Sequence, residues 1–268
     1  MTVKLLFLYP IDALLIFAVL TPAIGWLSHQ LGIRLRELFA TLGFVVAGSA
    51  LYLIAADYWA LDTPTQVVVD PFTPPLGACL IIDRLAIFMS AVFIGLGLLV
   101  SVYSARYMEH DESVSLYYAL LLAMVGGMVG VAFAGDFFTL FVFWELMAIS
   151  SYVLVAFRKH LWEPVEAGFK YLIMSAAGTG MILFAFSMLY GVAGTLNFAY
   201  LSQAMSNGAL VGQGWVMVAL ALLIAGFGVK AAIVPLHTWL PDAHPAAPSP
   251  ISAMLSGVVI KTGVLALI

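Results

Sequence analysis

The chain has 268 residues, of which 64% are hydrophobic and only 9% are charged, and its formal net charge is −4. Soluble domains average about 25% charged residues, so the composition excludes a soluble globular domain and indicates an integral membrane protein. A single cysteine excludes a disulfide framework and any four-thiolate iron–sulfur cluster within this chain. Any redox centre that the function requires must therefore lie in a partner, and we expect no catalytic residue, cofactor or metal here.

Apolar segments recur along the whole chain. A helix needs roughly 20 residues to cross a bilayer, and eight segments reach or approach that length. They cover about residues 5–27, 37–59, 84–106, 114–134, 136–157, 166–191, 215–236 and 249–268. The sequence therefore predicts an all-α protein with about eight transmembrane helices, the first of them retained in the membrane rather than cleaved as a signal peptide.

The basic residues between segments predict the orientation. Three odd-to-even connections carry most of them, namely Arg34, Arg36, Arg106, Arg158 and Lys159. By the positive-inside rule these connections are cytoplasmic, so both termini are predicted on the outer side of a cytoplasmic or other energy-transducing membrane.

Two longer connections lie on the predicted outer side. Residues 60–82 contain four prolines and are expected to form extended chain rather than helix. Residues 195–214 are uncharged and polar, which is compatible with a short interfacial helix. The glycine pairs Gly126/Gly130 and Gly178/Gly180 indicate close packing between helices.

Segment seven has an unusual composition. It reads as helix from Trp215 to about Ile233, where Pro235 removes a backbone hydrogen bond and further prolines, beginning with Pro241, follow. Non-helical backbone at membrane depth is tolerated where it is buried in protein or lines a wet cavity. The sequence therefore predicts a broken seventh helix beside a cavity, supported structurally by Pro235, Pro241 and Asp242.

Three charged residues lie deep in the predicted segments: Glu145, Lys230 and Lys261. A charge at such a depth costs about 2.5–3.5 kcal/mol on insertion scales, so such residues are candidates for an ion pathway. Lys230 is expected about two-thirds of the way along the straight part of segment seven. The alternatives are a neutral Glu145 bonded to a neighbouring helix, and lysines that extend their ammonium groups to the interface.

Four further polar residues lie near the predicted cytoplasmic side. Lys170 follows Glu166 by four positions, so it could form an interfacial ion pair or carry protons at the uptake side. His237 and His244 flank Asp242, and histidine titrates near neutral pH. They could relay protons, or they could bond backbone carbonyls while Asp242 braces the turn; they do not form a recognisable metal-ligand set.

Three stretches resemble one family. FVFWELMAISSY around Glu145, FGVKAAIVPLHTWLPDAHPAAPSPISAML around the predicted break, and SGVVIKTG around Lys261 are similar to the antiporter-like membrane subunits. That family is shared by respiratory complex I, membrane-bound hydrogenase-type complexes and Mrp-type cation/proton antiporters.

The resemblance implies two five-helix units of opposite topology, each with a broken helix. Residues 114–268 correspond to the first unit, residues 1–113 to three preceding helices and an outer loop, and the second unit is absent. By the same resemblance Glu145 pairs with Lys230, and Lys261 passes the proton onward. Either this is a half-length subunit or the sequence is a portion of a longer polypeptide.

The sequence leads to the hypothesis of a proton-translocating subunit of a redox-driven membrane complex, with a Glu145/Lys230/Lys261 relay. Its expected partners are other membrane subunits, including paralogous ones or a chain that supplies the second unit, together with lipid and protons. One alternative is an Mrp-type sodium/proton antiporter subunit. The others are a non-conducting structural subunit and a membrane-embedded enzyme that uses His237, Asp242 and His244. No basic cluster indicates a nucleic-acid partner.

Overall fold

The computed structural model of the chain describes residues 9–31, 35–58, 65–68, 78–208 and 214–268. Within these residues six helices are long and apolar enough to cross a membrane. They are α1 Tyr9–Leu31, α2 Leu35–Tyr58, α3 Arg84–Tyr107, α4 Val114–Phe133, α5 Phe137–Val155 and α6 Trp162–Ala193. The chain is therefore an all-α integral membrane protein, as predicted.

Shorter elements complete the fold. The short helix α7, Phe198–Ser206, confirms the helix suggested for the 195–214 connection. It is followed by α8 Gly214–Lys230, α9 Leu240–Ala246 and α10 Ser249–Leu265, the last interrupted by a π-helical turn at Leu255–Val259. The segments predicted as the seventh and eighth crossings are thus shorter than the first six helices.

The predicted outer loop 60–82 contains two strands. Strand β1, Thr65–Val68, pairs antiparallel with β2, Cys79–Ile82, so Thr65 lies opposite Ile82. The prediction of extended chain is confirmed for these strands. The four prolines of the loop, Pro64, Pro71, Pro74 and Pro75, lie outside the described residues.

Contacts between connecting segments identify the two ends of the helical bundle. At one end, Arg158 in the connection after α5 bonds Asp111 in the connection after α3. At the other end, Leu80 bridges to Ala134, and Asp136 bridges to Asn197. We call these the Arg158 end and the Asp136 end. The Arg158 end carries the basic connections that the sequence predicts to be cytoplasmic.

Helices α6 and α8 approach each other closely at two glycines. A Cβ atom on Gly226 would lie 2.7 Å from the backbone oxygen of Gly178, and a Cβ atom on Gly178 would lie 3.0 Å from that of Gly226. Gly178 therefore packs closely, as predicted, whereas Gly180 faces open space. This crossing brings the buried faces of α6 and α8 together.

The Asp136 side chain joins strand β2 to the start of α5 at the Asp136 end. Its Oδ2 atom accepts hydrogen bonds from the Cys79 amide at 2.9 Å and the Thr139 hydroxyl at 2.6 Å. Its Oδ1 atom accepts from the Thr139 amide at 2.7 Å, which caps α5. The carboxylate is buried, with 7% of the residue exposed.

Replacing this carboxylate is expected to destabilise the fold. Asp136→Ala should lower stability by about 3 kcal/mol, since hydrogen bonds to charged groups contribute about 1.5–3 kcal/mol. Asp83→Ala is the matched control, because Asp83 caps α3 through a single bond to the Ala86 amide and should cost about 1 kcal/mol. Thermal unfolding in detergent measures both, and equal midpoints would contradict the fastening role.

Candidate functional site

Helix α8 ends earlier than predicted. Its last residue is Lys230, whereas the sequence indicated helix to about Ile233 and placed Lys230 two-thirds of the way along. The cause is Ala232, which adopts a left-handed backbone conformation with a φ of 53° and turns the chain before Pro235 is reached. The helix break therefore lies directly beside Lys230.

The Lys230 ammonium lies in a pocket of hydroxyl groups. The residue is only 1% exposed. Its Nζ atom donates to the Tyr171 hydroxyl at 2.6 Å and to the Ser151 hydroxyl at 3.1 Å. Helix α6 supplies Tyr171 and helix α5 supplies Ser151, so the ammonium is held between three helices.

The two hydroxyls also bond each other. The oxygens of Ser151 and Tyr171 are 2.9 Å apart, and the Ser151 hydroxyl donates its one hydrogen to the Ala148 carbonyl at 2.7 Å. Counting donors then assigns the Tyr171 hydrogen to Ser151. In this arrangement both hydroxyls accept from the ammonium, and each of the three groups has at least two hydrogen-bond partners.

Trp239 links this pocket to the segment after the break. Its ring stacks on that of Tyr171, with centroids 4.0 Å apart and planes inclined by 6°. Its Nε1–H donates to the Val229 carbonyl at 2.7 Å. A buried tryptophan from beyond the break thus packs against the residue that holds the Lys230 ammonium.

Glu145 lies on α5 but does not touch Lys230. Its Oε1 atom accepts a hydrogen bond from the Thr179 hydroxyl on α6 at 2.8 Å, and no ion pair within 4.0 Å joins Glu145 to Lys230 among the described residues. Ser151 follows Glu145 by six residues, which is about 9 Å along the helix axis. The carboxylate therefore lies nearer the Asp136 end than the Lys230 ammonium does.

Lys170 forms two ion pairs at the Arg158 end. It bonds Glu166 at 3.0 Å, which confirms the predicted pair one turn apart, and Asp242 at 2.9 Å. Asp242 thereby ties α9 to α6, consistent with its predicted bracing role. These three residues, with Glu163, line a cavity of about 400 Å³ beside the broken helix.

The two histidines lie in the same region without contacting Lys230. The Nδ1 atom of His244 is 2.8 Å from the Ser252 hydroxyl. The Nδ1 atom of His237 is buried and makes no hydrogen bond within the described part of the chain. Within the described residues, neither Nδ1 atom therefore bonds a backbone carbonyl as one alternative predicted. Among the described residues, no group of three potential ligands could hold a metal ion.

Lys261 projects outward from α10. It is exposed, and its Nζ atom donates to the Ser256 carbonyl at 2.9 Å, next to the π-helical turn. Its helix nevertheless crosses the break: a Cβ atom on Gly263 would lie 2.5 Å from the Ala231 backbone nitrogen. The backbone next to Lys230 therefore lies against the backbone two residues after Lys261. The two ammonium groups have separate hydrogen-bond partners.

Several site residues were not identified from the sequence: Ser151, Tyr171, Thr179 and Trp239. Hydroxyl and aromatic residues are common in membrane helices, so none of them carries a strong signal alone. The available clue was the spacing along α5, where Ser151 follows Glu145 by six residues inside an otherwise apolar run.

A lysine buried at the break of a helix, inside a bundle of membrane-spanning helices, is typical of the class of ion-transporting membrane proteins. The family is given by the sequence. Residues 134–268 match the family described as NADH:quinone oxidoreductase/Mrp antiporter, TM, and residues 69–118 match the complex I chain 5 N-terminus. The chain belongs to this family of antiporter-like membrane subunits, as its three motifs predicted.

Curated relatives agree with this family. NADH-quinone oxidoreductase subunit N of Desulforudis audaxviator is 33% identical over 260 residues, which cover 94% of this chain and 51% of the relative. F(420)H(2) dehydrogenase subunit N of Methanosarcina mazei is 36% identical over 185 residues, which cover 69% of this chain and 37% of the relative. The chain thus spans about half the length, or less, of these relatives.

Solved structures share the fold. A chain of the archaeal membrane-bound sulfane sulfur reductase superposes with a TM-score of 0.88 at 31% identity, covering 98% of this chain and 52% of that one. A chain of the Mrp complex from Dietzia gives 0.81 at 27% identity, covering 100% and 48%. Complex I from Thermus thermophilus gives 0.73 at 22% identity, covering 96% and 52%, a similarity of fold alone.

Proposed function

We propose that this chain is a proton-translocating, antiporter-like subunit of a redox-driven membrane complex. Glu145, Lys230 and Lys261 form its relay, in which the two lysines carry protons and Glu145 controls release from Lys230. The observation that carries the proposal is the setting of Lys230, an ammonium buried among neutral hydroxyls at the end of a broken helix.

The hydroxyl pocket allows Lys230 to exist in two protonation states. As an ammonium it donates to Tyr171 and Ser151. As a neutral amine it can accept a hydrogen bond from the Tyr171 hydroxyl, whose hydrogen is free to rotate towards it. Lys230, Tyr171 and Ser151 each keep a hydrogen-bond partner in either state, which suits a carrier that must both take up and release a proton.

Glu145 is proposed to drive the release by changing its distance from Lys230. At an effective dielectric constant of about 20, opposite unit charges attract by about 2 kcal/mol at 9 Å and about 4 kcal/mol at 4 Å. The difference is comparable with the cost of moving one charge against about 100 mV, which is about 2.3 kcal/mol. A change of about 5 Å in the distance between the two groups would therefore supply enough energy to move one proton against this potential.

The uptake side is assigned to the Arg158 end. Lys170, His237 and His244 are proposed to connect the cavity beside Asp242 with Lys230, and this end is proposed to face the cytoplasm. Support comes from the acidic cavity and from the basic connections at the same end. Residues 114–268 would then form one five-helix unit within eight crossings, and both termini would lie outside.

Lys261 is proposed to hand the proton to another protein segment. An exposed lysine in an apolar helix is costly in lipid, so a membrane partner is expected to cover it. Such a partner could be a paralogous subunit or further polypeptide that supplies a second unit. The multi-subunit complexes among the solved relatives support this assignment.

Sodium transport is the second candidate, because the chain also resembles a subunit of the Mrp complex. Sodium requires several oxygen ligands, whereas the bond that Glu145 makes here is to the Thr179 hydroxyl. We therefore expect protons to be the transported ion.

The complex containing the full-length subunit, reconstituted into liposomes and supplied with its reductant and acceptor, tests this proposal. Internal acidification should occur equally in sodium-free and sodium-containing buffer, and radioactive sodium should not accumulate. Sodium uptake that depends on Glu145 would overturn the choice of proton. Unaltered translocation by complexes lacking this subunit would support the structural alternative.

A further inference from the structure

A groove at the Arg158 end is separate from the Lys230 pocket. It has a volume of about 400 Å³ and lies between the start of α4, the end of α5 and the start of α6. Its wall is apolar, and three of the wall residues are exposed: Leu116 by 48%, Val153 by 37% and Phe169 by 62%. The groove is therefore open to whatever surrounds the helices at this level.

The rim of the groove carries charges of both signs. Arg158 and Asp111 form a two-pronged pair, with N–O distances of 2.9 and 3.0 Å. The hydrogen bonds with Asp111 raise the pKa of Arg158, so this pair is internally compensated. Three exposed groups remain, the Glu112 carboxylate, the Lys159 ammonium and the His160 imidazole, and none is in an ion pair within the described residues.

The depth of the groove matches the structure of a lipid leaflet. Helices α4 and α5 have 20 and 19 residues, which is about 30 Å and 28 Å at 1.5 Å per residue. The hydrocarbon core of a bilayer is about 30 Å thick. The rim at the helix ends therefore lies at the level of the headgroups, while the apolar wall lies at the level of the acyl chains.

We propose that this groove binds a phosphatidylethanolamine molecule. One acyl chain lies along the apolar wall, where each buried methylene contributes about 0.8 kcal/mol. The phosphodiester accepts hydrogen bonds from Lys159 and His160, and the primary ammonium of the lipid donates to Glu112. No covalent step is involved.

The choice of headgroup follows from the rim charges. A phosphatidylglycerol headgroup offers nothing cationic to Glu112, and its negative charge is repelled by that carboxylate. The quaternary ammonium of phosphatidylcholine has no N–H group to donate. A zwitterionic headgroup with a primary ammonium satisfies Lys159 and Glu112 together, so it complements the rim better than either of these lipids.

Native mass spectrometry of the detergent-purified complex, incubated with equal amounts of the three lipids carrying identical acyl chains, tests the proposal. We expect phosphatidylethanolamine to be retained about tenfold over phosphatidylcholine, the effect of one hydrogen bond between charged groups. Glu112→Gln should abolish this preference. Lys159→Gln should lower retention of all three lipids about tenfold.

The control is Lys170→Gln, which removes a charge at the same end of the bundle but outside the groove, and should leave lipid retention unchanged. Glu112 and Lys159 are exposed, so their replacement should not affect folding. Equal retention of the three lipids by the unaltered chain would overturn the proposal. So would a preference for phosphatidylglycerol, a preference that survives both substitutions, or no retained lipid because a partner subunit covers the groove.

Discussion

Lys230→Met should abolish proton translocation by the reconstituted complex while leaving the subunit assembled. Methionine is similar in length to lysine but cannot bind a proton, so the proposed path is interrupted at its buried centre. Stability should change little, because the Ser151 and Tyr171 hydroxyls still bond each other and a buried ammonium no longer has to be desolvated. Acidification of liposomes measures translocation, and gel filtration of the purified complex measures assembly.

The matched control for this substitution is Lys170→Met. It removes the same charge from an exposed residue that pairs with Glu166 and Asp242, where water can replace a missing carrier. We expect translocation to fall by less than about fivefold, since exposed ion pairs contribute about 0–1 kcal/mol. Normal translocation in Lys230→Met would end the proposed role of this lysine.

Glu145→Gln should lower the rate of translocation at least tenfold. Glutamine retains the shape of the side chain and can still accept the hydrogen bond from Thr179. It carries no charge, however, so the attraction that is proposed to act on Lys230, about 2 kcal/mol for unit charges 9 Å apart, is lost. The rate of acidification per complex is the measurement.

Thr179→Val separates the charge of Glu145 from its hydrogen bond. This variant keeps the carboxylate and removes the Thr179 hydroxyl. It should translocate protons at a rate within about threefold of the unaltered complex, because the charge that is proposed to act on Lys230 is retained. If Thr179→Val were as inactive as Glu145→Gln, the hydrogen bond rather than the charge of Glu145 would be the essential feature.

The main features of this protein follow from its sequence for simple physical reasons. Long apolar segments predict helices because a bilayer leaves no backbone group unpaired. Charges inside such segments are conspicuous for the same reason, and Glu145 and Lys230 were identified in this way. The family was identified from the motifs around them.

The sequence was less informative about where helices end and about which side chains contact each other. It placed the end of segment seven near Pro235, whereas the turn is made by Ala232, a residue type that normally favours helix. It predicted the depth of Lys261 but not its outward direction, which depends on how α10 packs. The hydroxyls of Ser151 and Tyr171 became significant only when three helices brought them to one point.

The crossing of Gly263 over Ala231 has a mechanical consequence. Because only a hydrogen atom separates the two backbones there, the chain after Lys230 and helix α10 share a pivot. Under the proposed relay, a tilt of the broken helix on release of the Lys230 proton is expected to move α10 at this contact, and with it Lys261, which lies two residues from Gly263. The tight contact would thus couple a change of charge at the buried site to the position of the exposed lysine.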